Sequence, residues 1–79
     1  MNNDELAAQA VGLRETAEAM IKAGDGQDAV EAVTRDVVTA LISAAKQLKP
    51  ENSVVGALQV PAFLDWSGVL TIANVVYKA

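Results

Sequence analysis

Apolar residues recur along this chain at steps of three and four, a spacing that predicts helices rather than strands. From Asp4 to about Ala23, the residues Leu6, Ala10, Leu13, Ala17 and Met20 fall on one stripe, which Val11 and Ile21 widen. Asn2 is placed to cap this helix, and Glu5, three positions on, completes a capping-box pattern. Glu18 and Lys22 have the favourable i,i+4 order for a surface pair. Gly24 can take the left-handed conformation that ends a helix, so Gly24-Asp25-Gly26 reads as a helix–helix turn with Asp25 capping the next element.

A second helix is expected from Gln27 to Leu48. Val30, Val33, Val37, Leu41, Ala44 and Leu48 form one stripe, and Val38, Ile42 and Ala45 form another beside it. Two stripes predict a central helix with neighbours on two sides. Glu31 and Arg35 are spaced as a further surface pair. Pro50 ends the element, because the residue before a proline is pushed out of the helical region. Residues 51–60 read either as a short helix, capped by Ser53 and turning Val54, Val55 and Leu58 inward, or as an extended segment.

The third long helix is expected over residues 61–78, with Pro61 in its first turn. Asp65 is the alternative N-cap if the chain breaks once more. Phe63, Trp66, Leu70, Ala73 and Tyr77 repeat at three and four, and they include every aromatic residue in the chain. Val69, Ile72 and Val76 occupy the next stripe, and Val75 extends it. Only Ser67, Thr71, Asn74 and Lys78 make a polar side, so the apolar arc is much wider than that of an ordinary surface helix.

These elements define one all-α domain over residues 1–79, a three-helix bundle with a short helical or irregular insertion. A folded chain of 8.2 kDa is expected to expose roughly 4,500 Å² and to hide about 60% of its unfolded surface. One antiparallel bundle gives each helix a single inward wedge. It cannot hide both stripes of the last helix, so self-association is expected to complete the fold. The expected assembly is a homodimer or higher even oligomer joined through Phe63, Trp66, Val69, Leu70, Ile72, Val76 and Tyr77.

Charge changes the picture further. Six basic and ten acidic side chains give a net charge of −4. The basic residues are scattered, which argues against nucleic acid as a partner. Fourteen of the sixteen charges lie in residues 1–51, leaving only Asp65 and Lys78 beyond. The charge-poor C-terminal third is therefore expected to be covered. A membrane span is the competing explanation, but Gln59, Pro61, Asp65 and Asn74 interrupt the run well short of the ~20 apolar residues a bilayer needs. The N-terminal Met-Asn-Asn-Asp-Glu lacks the basic and apolar regions of a secretory signal, so cytoplasm is the expected compartment.

The chain contains no Cys and no His. This removes thiol nucleophiles, the commonest general base and the commonest transition-metal ligands. No phosphate loop, dinucleotide-binding glycine pattern or nucleophile elbow is present. The expectation is a non-enzymatic module, without metal or cofactor, that binds itself and another protein. The alternative is a small-ligand binder or sequestering protein with a pocket between helices or subunits. Asp65, Ser67, Thr71, Asn74 and Lys78 are the candidate polar contacts. For Asp65 the competing role is a helix cap.

Overall fold

A computed structural model describes all 79 residues, and the fold is all-α. Helix α1 spans Asn3–Ala23, α2 spans Gln27–Leu48, α3 is a single turn over Ser53–Gly56, and α4 spans Trp66–Lys78. Helix α1 begins on the expected capping box: the Asn2 side chain accepts from the Glu5 N–H at 2.9 Å, and the Glu5 carboxylate accepts from the Asn2 N–H. Its buried residues are Leu6, Ala10, Leu13, Ala17 and Met20. The surface pair forms between Glu18 and Arg14 at 3.5 Å, one turn earlier than the anticipated Glu18–Lys22 pair.

Gly24 closes α1 at φ 77°, and its N–H and that of Asp25 both return to carbonyls of the last turn. Gly26, rather than Asp25, is the N-cap of α2 and supplies no side-chain bond. The two helices are antiparallel across this three-residue turn.

Helix α2 buries Val30, Thr34, Val38, Leu41, Ile42 and Ala45. This row differs from the anticipated one: Val33 and Val37 face outward, 53% and 44% exposed. Thr34 lies in the buried row, and its hydroxyl donates to the Val30 carbonyl at 2.6 Å. With that bond made inside the helix, threonine carries no unsatisfied polar group into the core.

The connection between α2 and α4 decides the topology. Asn52, not Ser53, caps α3, accepting from the N–H groups of Val54 and Val55. Val55 is buried, and Val54 is exposed. The chain then runs without helix to Asp65, passing the full length of α2. Gln27 on the first turn of α2 donates to the Leu64 carbonyl at 2.8 Å, while Lys49 just past its end donates to the Ala79 carbonyl. Helix α4 therefore runs parallel to α2 and antiparallel to α1, against which it packs most extensively.

Helix α4 starts five residues later than the anticipated Pro61. Asp65 is its N-cap, accepting from the Gly68 N–H at 2.7 Å. Residues 61–64 lie outside the helix, bending at Ala62 and Phe63, and are held by side chains of α2.

The core contains only Leu, Val, Ile, Met and Ala side chains, joined by Thr34. The chain exposes 4707 Å², close to the roughly 4,500 Å² expected of a folded monomer of this mass.

Gly24→Val is expected to destabilise the fold by about 1 kcal/mol or more, because a β-branched residue is strained at positive φ. No atom lies within 4 Å of an added Cβ there, so the cost is purely one of backbone. Gly24→Asn, which tolerates this region, should lose less in urea unfolding; equal losses would point to another cause.

Candidate functional site

The non-helical segment 61–64 is gripped by three α2 side chains spaced four residues apart. Gln27 holds the Leu64 carbonyl. The Glu31 carboxylate accepts from the Leu64 N–H at 3.4 Å, and Arg35 donates to the carbonyls of Pro61 and Ala62 at 3.1 and 3.2 Å. Glu31 and Arg35 also pair with each other at 2.9 Å, each about one-third exposed. The anticipated surface pair is therefore a clamp. Spacing of four puts all three on one helix face, where they satisfy backbone groups that have no partner of their own.

The clamp fixes what points outward. Leu64 is fully buried, and its neighbours Phe63 and Trp66 stand in solvent at 64% and 47% exposure. Tyr77, at the far end of α4, is 51% exposed. Its ring lies 5.8 Å from the Arg14 guanidinium, a cation–π contact that steadies it against α1. Trp66, Leu70 and Tyr77 fall within about 40° on the helical wheel. They form a row along one flank of α4, with Leu70 half-buried between the rings.

All three aromatic residues of the chain are thus outside the core. At about 150–250 Å² per aromatic side chain, they offer roughly 250–400 Å² of ring surface.

The anticipated interface residues separate into two groups. Val69, Ile72 and Val76 are buried in the chain's own core, so in this fold they are unavailable to a second subunit. Phe63, Trp66, Tyr77 and the edge of Leu70 remain accessible. The two stripes of α4 do compete for one core, and the aliphatic stripe occupies it because smaller side chains let α1 and α4 approach closely.

The polar candidates also separate. Asp65 is the cap of α4, and Gly68 leaves room for it: an added Cβ would lie 3.1 Å from Asp65 Oδ1. Ser67, Thr71, Asn74 and Lys78 are exposed along α4, and Thr71 spends its hydroxyl on the Ser67 carbonyl. They do not converge on a pocket. Lys78 alone borders a shallow hollow of about 230 Å³ with Asn52 and Val54.

A second feature lies on the opposite flank of α1. Gly12, Leu13, Thr16, Val33, Val37 and Ala40 line an open groove of about 630 Å³ between α1 and α2. Val33 and Val37, expected in one stripe with Val30 and Leu41, instead form a wall of this groove. Gln9 and Asp36 also line it, and Thr16 donates to the Gly12 carbonyl. No group of three or more acidic side chains is placed to hold a metal ion. No helix is long and apolar enough to cross a membrane.

The division between core and surface has a thermodynamic signature. Phe63→Ala and Trp66→Ala are each expected to shift stability by about 0.5–1 kcal/mol, whereas Leu41→Ala in the core should cost about 2–5 kcal/mol. Comparable losses from all three in chemical denaturation would place the aromatics in the fold rather than on its surface. Arg35→Ala should cost about 1–3 kcal/mol, since it strands two backbone carbonyls of the clamped segment. Its effect should appear as faster amide exchange at residues 62–64; unchanged exchange there would dissociate Arg35 from the clamp.

No protein-family model, no characterised protein sequence and no solved structure matches this chain significantly.

Proposed function

We propose that this chain is a small, non-enzymatic helical interaction module whose contact surface is the aromatic flank of α4 and the clamped segment before it. The observation that carries this reading is the placement of every aromatic residue outside an otherwise aliphatic core. Aromatic side chains are the largest apolar groups available, and a fold that only needed stability would bury them. Exposed Trp and Tyr are also the residues most often found at the energetic centre of interfaces.

The surroundings support the same reading. Interface centres are poor in Lys, Glu and Asp. The segment from residue 52 onward carries only Asp65 and Lys78. The rest of the chain carries fourteen charges, so the uncharged face stands apart from its surroundings. Phe63 is presented on backbone held by three side chains, which lowers the ordering cost of binding. The partner proposed is a protein, a second copy of this chain included, and neither a nucleic acid nor a membrane. The absence of His and Cys from the sequence favours binding over catalysis.

A second reading has its own support. The α1–α2 groove has the volume of a small-molecule site, about 630 Å³, within the usual range of about 300–1,000 Å³. Its apolar wall of Leu13, Val33 and Val37 with Gln9 and Asp36 at hand suits an apolar ligand that carries a hydrogen-bond donor.

Photo-crosslinking separates the two. With p-benzoylphenylalanine placed at position 66 or 77 in expressing cells, a discrete protein adduct is expected, and none from position 19 on the outer face of α1. Phe63→Ala should reduce the adduct severalfold. Protein adducts absent from 66 and 77, with labelled material arising only from position 33, would transfer the function to the groove.

A further inference from the structure

We propose that the groove between α1 and α2 binds a small cationic amphiphile, a medium-length alkyl chain that ends in an ammonium group. This rests on the second reading above, in which the groove is a ligand site, and it names the class of ligand. It is independent of the aromatic flank of α4.

Two helices joined by a short turn pack through one side of each and leave a seam on the other. Here the seam is apolar and unfilled. Val33 and Val37 stand on its α2 side at 53% and 44% exposure. Gly12 stands on its α1 side, and no atom lies within 4 Å of a Cβ added there. The lining runs from Gln9 to Thr16 on α1 and from Val33 to Ala40 on α2. Seven steps of helical rise make a trough about 10 Å long. An octyl chain has that length, and a volume of about 630 Å³ holds it with its head group.

Charge and hydrogen bonding choose the head. Asp36 is the one charged residue that lines the groove. It belongs to neither ion pair of the chain. Ala32, Val33, Thr39 and Ala40, the positions one turn from it on α2, are all uncharged. The hydroxyls of Thr16 and Thr34 already donate to the carbonyls of Gly12 and Val30. What these groups have left is acceptor capacity, and only the Gln9 amide adds donors. A ligand must therefore bring its own donors. An ammonium group brings three, together with the charge opposite to that of Asp36. A carboxylate or phosphate head would meet Asp36 with like charge. The tail then lies along Leu13, Val33 and Val37, where it displaces water from apolar surface.

A net charge of −4 draws any cation towards the protein, so a bound cation is diagnostic only where Asp36 itself selects it. Octylammonium, octanol and octanoate share one tail and differ in the head. Each is titrated into the full chain below its micelle concentration and followed by backbone amide chemical shifts. Perturbations should cluster at Gly12, Thr16, Val33, Val37 and Ala40. Octylammonium should bind about threefold more tightly than octanol, the scale of an exposed ion pair, and octanoate should bind most weakly. Asp36→Asn should abolish the advantage of the ammonium over the alcohol. Glu51→Gln removes the same charge from the α2–α3 connection, outside the groove, and should preserve it. Gly12→Leu fills the trough and should weaken both octylammonium and octanol severalfold. Leucine is a better helix former than glycine, so this variant stays folded, which circular dichroism checks. If octanol perturbs the groove but the ammonium advantage is absent, survives Asp36→Asn or is lost equally in Glu51→Gln, the cationic class is overturned and the groove stands as an apolar site. Perturbations confined to α4 around Trp66 and Tyr77, affinities unmoved by Gly12→Leu, or no binding at all would overturn the proposal and the ligand-site reading together.

Discussion

A stretch of backbone with no strand or helix to satisfy it must find hydrogen bonds elsewhere, and in this protein it finds them on the side of α2. Gln27, Glu31 and Arg35 take up the carbonyls of Pro61, Ala62 and Leu64 and the Leu64 N–H. Without that grip, the segment would be free to continue the helix that Pro61 could open. With it, the chain is carried back along α2, Leu64 enters the core, and α4 begins beside the start of α2. The direction of α4 and the outward placement of Phe63 follow from these contacts.

The same grip explains how a chain of this size closes on itself. A three-residue turn forces α1 and α2 antiparallel, but a parallel α2–α4 pair requires a connection long enough to return. Residues 49–65 supply it. Because they hug α2 throughout, they also cover Val55 and Leu64 instead of forming a loose loop. Helix α1 then packs against both α4 and α2 through Leu6, Ala10, Leu13, Ala17 and Met20, while Ile21 stays exposed.

Local signals were legible in the sequence wherever a short-range bond decides the outcome. The Asn2–Glu5 box, the Gly24 stop, the stripe of α1 and the span of α2 all follow from contacts within about one helical turn. The choice between stripes was not legible. Val33 and Val37 look as apolar as Val30 and Val38, and which row faces inward is set by the neighbouring helices; the bond from Thr34 to its own helix only makes its burial tolerable. The start of α4 was open for a related reason. Pro61 and Asp65 are both good first-turn signals, and the contest was settled by α2 side chains some thirty positions away in sequence. The aromatic row was visible as a heptad-like repeat. Which of two competing rows goes inside depends on the neighbouring helix, and that information is not local.

An aliphatic core has a consequence for how this protein can be watched. Every near-ultraviolet chromophore sits on the surface, and none reports on the packing of Leu41, Val38 or Leu64. Trp66 already meets water in the folded chain, so its emission should change little when the core melts. The tryptophan signal and the helix signal are then expected to follow different events: one the occupancy of the α4 flank, the other the integrity of the bundle.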